Sequence, residues 1–332
     1  MQKTFRFDKN PPSILSASAI VGPKESIGPL GKYFKNHIYD DTFGEKTYEK
    51  AECKMQGFII AGLLKENKLN SEDIDVIIAG DLLNQIISAS FASREFDISF
   101  LGVYNACSTL TESLTIASIM LDSAYINRAV CLTSSHFSTA ERQYRYPLEL
   151  GSTRPPQSQW TVTGAGGFLL GNAVKNLPKI TMATIGKVVD YGVKDANNMG
   201  CAMAPAAVDT LLTHFKNTNT DENDYDLIVT GDLGILGSKV FCDMLNQKGV
   251  DITDKHVDCG GIIYKKDEQE FQGGSGAGCS AVVFADYFYP QILKKKYKKV
   301  IFMATGALLS TLSSQQGESI PSIAHLVVVE NC

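Results

Sequence analysis

Several things are missing from this 332-residue chain, and each absence removes a class of protein. No apolar run approaches the ~18 residues a membrane-spanning helix needs, so the chain is expected to be soluble and not to cross a bilayer by itself. Met1 to Pro12 lacks the apolar stretch of a signal peptide. There is no basic excess: 31 Lys and Arg stand against 36 Asp and Glu, a net charge of −5. Nucleic acid is therefore not expected among the partners, because it would call for a basic stripe. The cysteines at 53, 107, 131, 201, 242, 259, 279 and 332 include no C-x-x-C pair. That scatter fits a reduced interior, not a disulfide framework. His256-x-x-Cys259 is half of a zinc pattern without its second half, so no metal is expected.

What is present is an ordinary globular composition, 44% hydrophobic and 20% charged. The length exceeds one small core and predicts one large or two fused α/β units. An internal repeat favours two. Asp75-Val-Ile-Ile-Ala-Gly-Asp81-Leu82 returns as Asp226-Leu-Ile-Val-Thr-Gly-Asp232-Leu233. Both are short apolar runs of the kind buried on two faces of a parallel sheet. Both follow acidic segments, and helix-like runs precede them at Tyr48–Lys65 and Met203–Phe215. Downstream, a helical run from Cys107 to about Ile126 leads into a strand at Ala129–Thr133. Its echo runs from Ala277 to about Lys296 and into Val300–Met303. Gly166–Gly171 matches His325–Glu330 as a closing strand. Two similar α/β halves follow, residues 1–175 and 176–332, each a sheet covered by helices.

In this alignment Cys107 falls opposite Ala277, and the elbow Val103–Ser108 falls opposite the glycine-rich Gly273–Gly278. Tyr104-Asn105-Ala106-Cys107-Ser108 is a small-residue turn feeding a helix start. There the helix dipole and unsatisfied N–H groups stabilise a thiolate or hold an anion. A nucleophile and an anion cradle are both open readings, beside plain packing of a small buried residue. His136, in Thr133-Ser134-Ser135-His136-Phe137, follows a first-half strand, at the end where α/β ligands bind. It either touches a ligand or bonds a backbone group. His214 and His325 read as structural.

Two α/β halves, the Ala106-Cys107-Ser108 elbow and Thr163-Gly164-Ala165-Gly166-Gly167 together resemble the thiolase superfamily, including its ketosynthase members. Phe7 to Ile14, Tyr104–Leu110 and Thr161–Gly171 resemble in particular a sporulation branch of that superfamily in spore-forming bacteria. The resemblance implies a thiolase-like fold of two duplicated halves in αβαβα layers, and a homodimer. It also implies where a condensing enzyme's His and Asn belong; those positions fall on Gly231 and Gly274. Neither glycine can polarise a carbonyl or move a proton. The expectation is a pocket kept without its catalytic residues.

The resemblance further implies a ligand: dipicolinic acid (pyridine-2,6-dicarboxylate), free or as its calcium chelate, with no other cofactor. Asn105, Cys107, Ser108, Ser134, Ser135, His136, Thr163, Gly164, Gly274 and Gly276 are the candidate ligand-binding residues. Arg128, Arg142, Arg145 and Arg154 are candidate carboxylate clamps. Lys294–Lys299 reads as a dipole-matched helix end or as a contact to an anionic membrane. The implied partners are membrane proteins of the same sporulation operon, and the implied place is the inner membrane of the forespore or spore. The competing expectation is an acyl-thioester enzyme with Cys107 as nucleophile and His136 as its base.

Overall fold

The computed structural model describes residues 3–144, 154–265 and 271–331. Five strands of the first half are Ser13–Val21 (β1), Val76–Gly80 (β2), Phe100–Gly102 (β3), Arg128–Ser135 (β4) and Gly164–Gly171 (β5). Five of the second are Lys179–Thr184 (β6), Leu227–Thr230 (β7), His256–Asp258 (β8), Lys299–Ala307 (β9) and Ser322–Glu330 (β10). They lie side by side in the order β3-β2-β4-β5-β1-β6-β10-β9-β7-β8, which reads the same from either edge once each strand is replaced by its mate in the other half. The two sets meet at Ser13 and Lys179. Short strands at Thr4–Arg6 and Asn36–His37 add to β6 and β1.

The helices complete the mirror. Tyr48–Glu66 (α1) and Ile87–Ser93 (α2) cover the outer face of the first set. Met199–Thr218 (α5) and Gly234–Asn246 (α6) cover the outer face of the second. Between the sets run Thr109–Asp122 (α3) and Ala277–Val283 (α7), the latter prolonged through Phe284–Phe288 and Tyr289–Leu293. Helix α3 touches β2 and β4 of its own half and β9 and β10 of the other, while α7 rests on β1, β4 and β5. The result is five layers, αβαβα. Phe137–Tyr144 (α4) follows β4 at the mouth of this assembly.

A central helix has no solvent face, and α3 is built accordingly. Leu110, Leu114, Ala117 and Leu121 form its apolar stripe. Its buried hydroxyls return to the helix: Ser113, Thr115 and Ser118 donate to the carbonyls of Leu110, Thr111 and Leu114. Those bonds satisfy polar groups that burial would otherwise penalise.

Both central helices differ from their expected bounds. Helix α3 starts at Thr109, not Cys107, because Ala106 takes a left-handed turn (φ 50°) that the helix cannot include. The run from Ala277 ends at Leu293, and Lys294 caps it.

Candidate functional site

The elbow before α3 is closed by its own groups. The Asn105 carbonyl accepts both the Ser108 N–H (3.0 Å) and the Ser108 hydroxyl (2.8 Å). The Asn105 N–H donates to Thr109 Oγ1 (3.1 Å), whose hydroxyl donates to the Ala106 carbonyl (2.6 Å). Glycines from each half pin the turn. A side chain at Gly80 would strike the Val103 carbonyl, and one at Gly306 would strike the Asn105 carbonyl. Cys107 is thus presented by a strained turn two residues before the helix, 8% exposed. It packs in one apolar cluster with Leu82, Ala140, Tyr144, Ala277 and Ala307. The Ser108 N–H expected to meet an anion is engaged inside the turn.

His136 is fully buried and bonds backbone. The Ser138 N–H donates to Nδ1 (3.1 Å), so the ring proton sits on Nε2 and is given to the Asp41 carbonyl (2.7 Å). Burial lowers its pKa, and the ring stays neutral. Its neighbours Ser134 and Ser135 point to opposite faces of β4, as strand geometry requires. Ser134 donates to Glu52 Oε1 (2.8 Å) and accepts from Gln56 (2.7 Å) on the α1 side. Thr139 holds the other Glu52 oxygen (2.8 Å). Burial, reinforced by Asp81, pushes Glu52 up to about 8. Ser135 faces the central layer. It donates to the Val162 carbonyl (2.6 Å) and accepts the Gly278 N–H (3.0 Å).

Ser135 therefore meets the start of α7, where Gly276 takes φ 111°. A side chain on Gly276 would lie 2.7 Å from the Ser135 hydroxyl. Thr163 closes the same corner: its hydroxyl accepts the Phe137 N–H (3.1 Å) and its N–H meets Glu25 (3.0 Å). Gly164 lies against Ile20 and Val282, and Gly274 against Ile263, Val162 and Tyr264. Gly231 is closed in by Ser280 and Ala304. Of the expected set, Ser135, Thr163, Gly164 and Gly276 come together at α7; Asn105, Cys107 and Ser108 form the α3 elbow. Ser134 and His136 are turned away into the α1 side and the backbone.

The arginines separate in the same way. Arg128 opens β4, at the end of the sheet opposite its Ser135 terminus. Arg142 is exposed and bonds the Ser138 carbonyl (2.8 Å). Arg145 lies outside the described residues. Arg154 is the one carried inward: it stacks over Trp160, bonds the Gln159 carbonyl and sits 3.6 Å from Glu141. Glu141, almost fully buried, accepts the Thr161 hydroxyl (2.7 Å), which also meets Tyr144 OH (2.8 Å). This Arg154–Glu141–Thr161–Tyr144 string abuts both Gly276 and the Cys107 cluster. In the sequence, Glu141-Arg142 at the end of a short polar helix looks like a solvated face, so only the fold identifies it.

The second surprise is His325. It sits inside β10, not at a strand edge, and its Nε2 reaches the Asn105 amide across the halves (3.2 Å). His256, half of the apparent zinc pattern, bonds Thr230 (2.7 Å) and lies 3.7 Å from Cys242 Sγ.

Comparison with known proteins bears on this site as a whole. The profile of the family described as Stage V sporulation protein AD matches residues 1–330. The Stage V sporulation protein AD of Bacillus subtilis (strain 168) is 44% identical over 330 residues, covering 99% of this chain and 97% of that one. Among solved structures, cerulenin-bound OleA of Xanthomonas campestris is similar with a TM-score of 0.62 at 14% identity, covering 98% of this chain and 100% of that one. The 3-oxoacyl-[acyl-carrier-protein] synthase III of Aquifex aeolicus VF5 follows at 0.58 and 12%, covering 96% and 99%. These structural likenesses establish the thiolase-like fold.

Proposed function

This chain belongs to the stage V sporulation protein AD family, with the sporulation role that carries, and from that premise we propose that it binds dipicolinic acid and delivers it to membrane proteins of the developing spore. The thiolase-like fold serves here as a binding frame, with no acyl chemistry. The observation that carries the reading is the fate of the histidines. His136, His214, His256 and His325 each have both ring nitrogens engaged, and His37 is exposed on the short strand beside β1. None of these buried rings keeps a nitrogen free to serve as the base that a histidine supplies in nucleophilic catalysis. Gly231 and Gly274, where the superfamily resemblance puts a His and an Asn, are too enclosed to accept either side chain.

In this reading the flat ring lies along the Cys107–Tyr144–Leu82 wall. One carboxylate is received by Arg154, which Glu141 holds, and by the Tyr144 hydroxyl, which turns to it from Thr161. The chain works as a homodimer joined through the open edge at β3, and docks beside the spore inner membrane with Lys294–Lys299 toward anionic lipid. No helix among the described residues is long and apolar enough to cross a membrane, which suits a peripheral role. Calorimetry with dipicolinate, with and without calcium, is the test. Saturable heat is expected, weakened about fivefold in Cys107→Ala. No heat at about 1 mM ligand sinks the reading.

One observation favours a second reading. A non-glycine residue held at φ 50° directly before a cysteine is stored strain of the kind found at catalytic elbows. Acyl transfer to Cys107 would leave a thioester, visible as added mass after incubation with acyl-CoA. A stable adduct on Cys107 would replace the binding reading with an enzymatic one.

A further inference from the structure

Asn105 is connected in every direction. Its backbone groups close the elbow with Ser108 and Thr109. Its side-chain amide meets His325 Nε2 at 3.2 Å. The other ring nitrogen of His325, Nδ1, accepts the Gly186 N–H (3.2 Å) from the loop after β6.

The donors and acceptors can be assigned in order. Nδ1 accepts, so the His325 proton is on Nε2. It needs an acceptor, so the Asn105 amide, whose Nδ2 lies 3.2 Å away as placed, turns over to present its carbonyl oxygen. Burial pulls the His325 pKa down to about 4, so this arrangement persists at neutral pH.

We infer that His325 is a positioning residue for Cys107: the string Gly186–His325–Asn105 ties the second half of the chain to the first and holds the left-handed Ala106 turn that presents the thiol. Alternatives for holding the turn are few. Ala106 has no side-chain group to fix itself, and Gly306 only makes room for the Asn105 carbonyl. From the second half, the His325 side chain bonds the elbow at Asn105. Without it, the turn relaxes toward an ordinary conformation and Cys107 becomes accessible.

The test is alkylation of Cys107 by iodoacetamide under native conditions, followed on the Cys107 peptide by mass spectrometry. His325→Phe keeps the ring volume and removes both bonds; the Cys107 rate should rise about tenfold, the size expected for losing one buried hydrogen bond. His325→Gln restores a donor near Nε2 and should stay within about twofold of the parent. His214→Phe removes an equally buried imidazole bonded to Thr184 and Tyr225 and should leave the Cys107 rate unchanged. A folded His325→Phe chain whose Cys107 reacts at the parent rate overturns the inference. Should that variant fail to fold, nitrogen-15 spectra of the unaltered chain decide: a His325 tautomer protonated on Nδ1 is incompatible with the string. Neither measurement uses a ligand, so its failure is separable from a failure to bind dipicolinate.

Discussion

The two halves of the molecule share a plan and divide its chemistry unequally. Each central helix starts against the last residues of a strand in the opposite half: the α3 elbow nests on Gly306 at the end of β9, and the start of α7 nests on Ser135 at the end of β4. Ser135 and Gly306 are mates, as are Ala106 and Gly276. Gly166, mate of His325, faces the Ala281 backbone of α7. At the α7 start, a glycine supplies the unusual backbone and a serine supplies the hydrogen bonds. At the α3 start, a strained alanine supplies the backbone, a glycine makes space, and a histidine supplies the bond. The same division holds for the aspartates. Asp81 receives the Leu83 and Ala89 N–H groups (2.8 and 2.7 Å). Neither Asp232 oxygen has a partner among the described residues, and Asp258 instead caps Leu233, Gly234 and Gly261. Burial, with Asp258 nearby, drives the Asp232 pKa well up. A duplicated fold has kept the geometry of two helix starts and a thiol at one.

The sharpest way to break this comparison is to exchange the residues that receive the two helix starts. Gly306→Val puts methyl groups into the Asn105 carbonyl, which is backbone and cannot step aside. The loss should be about 3 kcal/mol or more, read by urea denaturation. Ser135→Gly at the mate position removes two hydrogen bonds without collision and should lose about 2 kcal/mol. Equal losses would mean that the two helix starts are held alike.

A smaller effect separates the turns themselves. Gly276→Ala places a side chain at φ 111°, a region open to glycine alone, and against the Ser135 hydroxyl; it should lose about 2 kcal/mol. Ala106→Gly relieves the left-handed strain of the other elbow and should change stability by less than about 1 kcal/mol, in either direction. Thermal melts of the pair give the answer. If Ala106→Gly were the more damaging, the α3 elbow would not be strained.

Much of this asymmetry was legible in the chain and some was not. Two apolar runs with matching flanks are enough to predict mirrored strands, because a buried parallel strand has few other sequence forms. The opposition of Gly166 with His325 survives in the strand register, where Gly166 pairs with Thr133 and His325 with Ala304. The site was harder to read. Period-2 alternation alone implies that Ser134 and Ser135 cannot serve one pocket, and Arg128 precedes its strand, so it belongs to the opposite end. The use of the Ser108 N–H inside the elbow follows from the left-handed Ala106, which nothing in an alanine announces. His325 meets Asn105 only when the second sheet is laid under the first-half helix, a contact 220 positions apart.

The mildest probe is pH, which acts on buried carboxyls and buried histidines from opposite directions. In the first half, burial raises Glu52 to about 8 and Glu25 to about 7. A carboxyl raised by folding binds its proton more tightly in the folded chain. Its contribution is complete below the unfolded value and is lost as pH climbs through the folded one. In the second half, burial lowers His256 and His325 to about 4 and His214 to about 3. A neutral buried imidazole contributes fully above its unfolded pKa and loses that contribution as pH falls through the folded value. Stability should therefore peak at mildly acid pH, with the alkaline limb set by the raised carboxyls, Glu52 and Glu25 foremost with Asp232 of the second half, and the acid limb by the lowered histidines. Glu52→Gln isolates the first limb. Its stability relative to the parent should improve by about 2 kcal/mol between pH 6 and pH 8.5 while the acid limb stays in place. A parallel shift of both limbs in that variant would show that the halves do not titrate independently, and that the neutral Glu52 supports the whole assembly through Ser134 and Thr139.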